Sequence, residues 1–165
     1  MMNKILLVVI LVALAGGFVL WQKKSAKGQM TNEQMLDSGN NTPIVTQSDV
    51  EYFSGAKGYF VRPEKEGNYS GIVMIHENRG LRPEIRSTAE ALAKEGYLVL
   101  AVDLFNNKVV ETQDEAQQLT ANFDQQRGIE NMKAAVAFLK GKGAVKIASL
   151  GWCFGGGQSL QLALS

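Results

Sequence analysis

The pentapeptide Gly151-Trp152-Cys153-Phe154-Gly155 places the only cysteine of the chain between two glycines, one two residues before it and one two residues after. This is the thiol form of the G-x-S-x-G nucleophile elbow, whose chemistry is attack on a carbonyl carbon. The pattern has a steric reason. The nucleophile occupies a tight, strained turn, and side chains at Gly151 or Gly155 would collide with neighbouring backbone. The turn also sets the sulfur at the start of the next helix, where free N–H groups and the helix dipole stabilise negative charge. The Phe154 N–H then points to where an oxyanion forms. Other readings of the stretch fit less well. A phosphate loop requires Gly-Lys-Ser/Thr after its spacer, and Gly157-Gln158 stands there instead. The G-x-G-x-x-G dinucleotide fingerprint is missing. A structural cysteine is the competing reading.

A second group lies in Ile75-His76-Glu77-Asn78-Arg79-Gly80, at the carboxyl end of an apolar run. Ligands of open α/β sheets bind at that edge. Asn78 is the candidate for a second oxyanion N–H, and Glu77 for a carboxylate facing Cys153, against the alternative of a solvated loop acid. His76 is the sole imidazole in the chain. At the end of a strand it is expected to be a structural hydrogen-bonder rather than the base. Asp103 is expected to cap a loop.

The surrounding elements must hold these groups. Residues 50–53 and 58–61 read as a hairpin around Gly55. Residues 71–76, 97–102 and 145–152 read as buried strands. Helices are expected after Pro83 up to Gly96, over 112–123 and 126–140, and from Gly155 onward. Strand, helix, strand in succession predicts a mostly parallel sheet with helices on both faces.

Residues 5–21 are uncharged and apolar, close to the shortest stretch that spans a bilayer, with Trp21 at its end and Lys23 and Lys24 beyond. The expectation is a single-pass transmembrane signal-anchor over 1–22, a polar linker over 23–48 and a folded domain over 49–165 held outside the cytoplasm. Ala13-Leu14-Ala15 offers a cleavage site as the alternative. Acidic and basic residues balance, 16 against 17, which argues against nucleic acid as a partner. One Cys and one His cannot build a disulfide or a Cys/His zinc site, and no residue pattern calls for a metal or cofactor.

The stretches GYFVRPE (58–64), GIVMIHENRGL (71–81), LAKEGYLVLAVDLF (92–105) and GWCFGGGQSLQLAL (151–164) together resemble the dienelactone hydrolase family of the α/β-hydrolase superfamily. That resemblance implies a hydrolase of small-molecule lactones or esters, acting through a Cys thiolate and a thioester acyl-enzyme without a cofactor. It implies Cys153 as nucleophile, Glu77 as the carboxylate touching the resting thiol, and Asn78 and Phe154 as backbone oxyanion donors. Two departures accompany it. Asn106 and Asn107 stand near the place of the family's substrate-binding Arg. The family's triad Asp and His, which follow the nucleophile in chain order, find no counterpart by Ser165. The expectation is therefore an α/β-hydrolase-type domain truncated after the nucleophile elbow and inactive as it stands. A non-catalytic tethered binding module is the alternative.

Overall fold

The computed structural model describes residues 45–165. The expected transmembrane segment at 1–22 and linker residues 23–44 lie outside the described residues. No helix among the described residues is long and apolar enough to cross a membrane.

Five strands form one sheet: β1 Val45–Phe53, β2 Ala56–Pro63, β3 Ser70–Ile75, β4 Tyr97–Val102 and β5 Ile147–Gly151, in the order β1-β2-β4-β3-β5. Four helices connect or follow them: α1 Pro83–Lys94, α2 Gln113–Ala121, α3 Gln125–Gly141 and α4 Phe154–Ala163. The expected hairpin is present, turning at Ser54-Gly55 with Gly55 at φ 76. Its first strand starts at Val45, inside the stretch expected to be linker, because residues 45–49 pair with 59–63.

The sheet is mixed rather than mostly parallel. β3 pairs in parallel with both β4 and β5, but the hairpin docks antiparallel on β4 through β2. The link between β2 and β3, residues 64–69, is too short for a crossover helix, so β3 runs opposite to β2, and β4, parallel to β3, meets β2 antiparallel.

Alternation along the central strands assigns the two faces. Ile72, Met74, Val99 and Ala101 pack with Ile85, Ala89 and Ala93 of α1. Val73, Ile75, Leu98, Leu100 and Val102 pack with Met132, Ala135 and Leu139 of α3. Helices therefore cover both faces, as expected. Phe154 and Leu162 of α4 join the α3 side. The helix after β3 thus lies on one face and the helix after β5 on the other. The crevice between the carboxyl ends of β3 and β5 is the topological switch point, where such sheets bind ligands.

β5 departs from its expected burial. All its residues are partly or fully exposed, because among the described residues nothing pairs with its outer edge. Beside it, Val145 and Leu160 are each 58% exposed and Leu164 75%. An open apolar edge is a template for association. The double variant Val145→Lys, Leu160→Lys is expected to associate less than the parent at equal concentration. Its stability should change by no more than about 1 kcal/mol, twice the usual surface value. Sedimentation and denaturation curves of the two proteins check this, and unchanged association would refute it.

Candidate active site

Cys153 sits where β5 ends and α4 begins, with φ 52 and ψ −120. Few non-glycine residues adopt this backbone, and holding one there costs about 1–3 kcal/mol. The surroundings enforce it. A Cβ on Gly155 would lie 2.5 Å from the Ile75 carbonyl oxygen and 2.6 Å from that of His76. A Cβ on Gly151 would collide with the Gly155 carbonyl group. Both predicted elbow glycines therefore sit where backbone crosses backbone. The result is an exposed thiol at the tip of a rigid turn.

α4 starts without a side-chain cap. The Gly156 and Gly157 amides bond to the Cys153 carbonyl, at 3.1 and 3.3 Å. The Phe154 amide donates to no protein group among the described residues. It is one of the orphan donors of a helix start.

The parallel register sets Ile75 opposite Gly151, so the chain leaves both strands at the same edge of the sheet. Residues 77–80 then form a tight turn, closed by Gly80 N–H donating to Glu77 O at 3.4 Å. The Asn78 amide, inside that turn, also donates to no protein group among the described residues. Glu77 is exposed and makes no hydrogen bond to Cys153 among the described residues. Glu77 and Trp152 instead line one cavity of about 460 Å³ together with Arg79 and Arg82. Trp152 is 43% exposed and forms part of its wall. The sequence reading assigned Trp152 no role, because only the fold brings it beside the turn after β3.

His76 and Asp103 are structural, as the sequence suggested. The His76 ring is fully buried. Its Nδ1–H donates to Glu77 O at 2.6 Å, and its Nε2 accepts from Leu104 N–H at 3.1 Å. One neutral tautomer satisfies both bonds, and neither nitrogen is left to act on Cys153. Asp103 caps its own loop, accepting from Phe105 N–H at 2.9 Å and from Asn107 N–H. Asn106 and Asn107 both take positive φ, 53 and 62, and so serve as turn residues in this loop. The Asp103 backbone is held from below by the Tyr52 hydroxyl and by Asn131 Nδ2. Burial pushes the Tyr52 phenol well above its ordinary range, so it keeps its proton and donates it to Asn131 Oδ1 at 2.6 Å. Long-range pairing of this kind leaves no sequence signal.

Burial drives the His76 pKa below its ordinary 6.5, outweighing its bond to the Glu77 carbonyl and the charge of Asp103. The unfolded chain takes up this proton near pH 6.5 and the folded chain resists it. The His76 contribution is therefore complete above about pH 6.5 and is lost as the pH falls toward the folded-state value, by up to about 1.4 kcal/mol per pH unit. Denaturation midpoints at constant ionic strength should drop between pH 7 and pH 5.5. A flat profile over that interval would contradict the buried neutral ring.

A second cavity of about 430 Å³ lies beyond the Asp103 loop, with Phe105, Phe123 and Arg127 among its walls. Its two phenylalanines pack against Phe154 at 5.2 and 5.0 Å between ring centres. Among the described residues, no three His, Cys, Asp or Glu side chains cluster to hold a metal ion.

Comparison with known proteins follows the same features. A family model described as the dienelactone hydrolase family matches residues 56–165. YghX of Escherichia coli K12, a fragment provisionally described as a hydrolase, is 48% identical over 48 residues, 28% of this chain and 41% of that protein. A protein of Methylorubrum extorquens with the provisional name carboxymethylenebutenolidase is 26% identical over 90% of this chain and 52% of its own length. A crystal structure of a dienelactone hydrolase-like promiscuous phosphotriesterase from metagenomic libraries aligns with a TM-score of 0.65 at 29% identity. That alignment covers 72% of this chain and 54% of that one. The chain spans about half the length of the curated relatives it matches.

Proposed function

The chain belongs to the dienelactone hydrolase family, and from that membership we propose a hydrolase that opens a small-molecule lactone or carboxylic ester through Cys153. The observation that carries this reading is the Cys153 backbone, at φ 52 and ψ −120 between two glycines that admit no side chain. A structural cysteine has no need of an exposed, strained position.

The Cys153 thiolate attacks the ester carbonyl carbon, a C–S bond forms, and the carbonyl π pair moves onto oxygen. The unpaired amides of Phe154 and Asn78 stabilise that oxyanion. Collapse expels the alkoxide, which takes a proton from water, and leaves a thioester. Family resemblance assigns Glu77 as the carboxylate that meets the thiol, whereas here its side chain is exposed and lines the cavity beside Arg79 and Arg82. Deacylation by water needs a base, and the only imidazole among the 165 residues is committed to Glu77 O and Leu104 N–H. No imidazole among the described residues is free to serve deacylation, so acylation by residues 45–165 is the step open to test.

The test uses p-nitrophenyl acetate. The expected result is release of p-nitrophenolate up to one equivalent per chain, followed by turnover near background. Release no faster than that from free cysteine at the same pH would refute the nucleophile. The commitment of the sole His also favours a second reading, a non-catalytic binding module, which such a result would leave standing. We further propose that residues 1–22 anchor the chain in a membrane with the folded domain outside the cytoplasm. Protease protection of residues 45–165 in oriented vesicles tests this.

A further inference from the structure

We propose that His76 is the positioning residue of the oxyanion site, its ring setting the direction of the Asn78 N–H. This deepens the hydrolase reading above and rests on it. The argument begins with one peptide unit. Glu77 C=O and Asn78 N–H belong to the same peptide group, which is planar and trans, so the two bonds point in opposite directions. Fixing the oxygen fixes the N–H.

The His76 Nδ1–H holds that oxygen at 2.6 Å. The other ring nitrogen accepts Leu104 N–H at 3.1 Å and so ties the ring to the loop after β4. The ring is fully buried, with its centre 4.8 Å from that of Phe105 and 6.2 Å from that of Phe154, nearly parallel to the latter. The His76 carbonyl lies in the close contact that requires glycine at position 155. A single residue thus touches the Glu77 turn, the β4 loop and the first turn of the elbow helix. These are the two segments that supply the oxyanion donors and the one that braces them. Asp103 Oδ1, 4.0 Å from Nε2, is occupied by Phe105 N–H and leaves the ring neutral.

Two reactions of Cys153 separate this role from general support of the fold. Acylation by p-nitrophenyl acetate passes through an oxyanion, whereas alkylation by iodoacetamide does not. In His76→Leu the acylation rate is expected to fall by about tenfold or more while alkylation stays near the parent rate. His76→Gln keeps one donor and one acceptor and is expected to recover most of the ratio. Equal loss of both rates, no loss of the ratio, or no recovery in His76→Gln would overturn the proposal. Should the parent protein acylate no faster than free cysteine, the hydrolase reading falls. Amide exchange then decides the positioning role. The Leu104 and Gly80 amides, which bond to His76 and to Glu77 O, should exchange faster in His76→Leu and be restored in His76→Gln. Unchanged exchange would overturn the role by itself.

Discussion

Cys153→Gly is expected to lose all acyl transfer and, at the same time, to make the protein more stable. The loss of chemistry follows from removal of the sulfur. p-Nitrophenolate release should fall to the solvent background, and mass spectrometry should find no acetyl group on the peptide containing residue 153. The gain in stability follows from the backbone. At φ 52 and ψ −120 a residue with a Cβ is strained, and glycine is not. Relief of that strain is expected to raise stability by about 1–2 kcal/mol, less the larger entropy of glycine in the unfolded chain. Cys153→Ala removes the sulfur but keeps the strain, so it should lose the chemistry without the gain. Cys153→Ser should acylate only in trace amounts, because a hydroxyl needs a base and no imidazole is free. Denaturation curves and acylation assays on the three variants decide the matter. If the glycine variant is less stable than the alanine variant, the strained-elbow argument is wrong. If the alanine variant still acylates, the nucleophile lies elsewhere.

The second large effect is a contrast between two glycines on one helix. In Gly155→Ala the new methyl group would lie 2.5 Å from Ile75 O and 2.6 Å from His76 O. Both are backbone atoms at the end of a central strand, so neither can turn aside as a side chain would. α4 must be pushed off β3, breaking the packing of Phe154 against His76 and Phe105. The expected cost is about 3 kcal/mol or more, at or above the upper end of the overpacking range. That is a large share of the stability of a domain of this size. A Cβ on Gly157, two residues on, would meet nothing within 4 Å. Gly157→Ala should stabilise the protein by about 0.5–1 kcal/mol through helix propensity. Opposite shifts in the denaturation midpoint are therefore expected from the same substitution. Equal shifts would show that α4 does not lie against the carboxyl end of β3 as described.

Several site features were legible because they are local. The G-x-C-x-G spacing carries its own steric demand, and the structure meets it with backbone contacts at both glycines. The Gly55 turn, Pro83 at the first position of α1 and Gly96 at its end, with φ 93, are decisions of adjacent residues. The unbroken apolar runs 72–75 and 98–102, buried on both faces of the sheet, are likewise written along the chain. The structural roles of His76 and Asp103 were also readable, since a lone polar residue closing an apolar strand usually serves its own loop.

What was not legible depended on partners far away in the chain. The sheet looked mostly parallel because each strand alone cannot show which neighbour it meets. The antiparallel docking of β2 on β4 is settled only when residues 59–61 find 99–101. β5 read as a buried strand from its composition, yet its burial depends on a neighbour at its outer edge, and none is present among the described residues. The Tyr52–Asp103–Asn131 network joins residues more than 25 positions apart, and no spacing rule encodes it.

By itself, then, the sequence determined the elements, the elbow and the identity of its thiol. Backbone sterics and hydrophobic periodicity act over a few residues, and both are visible in one dimension. Tertiary structure alone decided which strand edges meet, which face each helix covers, and which partners, Glu77 O and Leu104 N–H, hold the buried imidazole. Those outcomes arise from contacts between distant segments, whose free energy depends on the whole packed sheet.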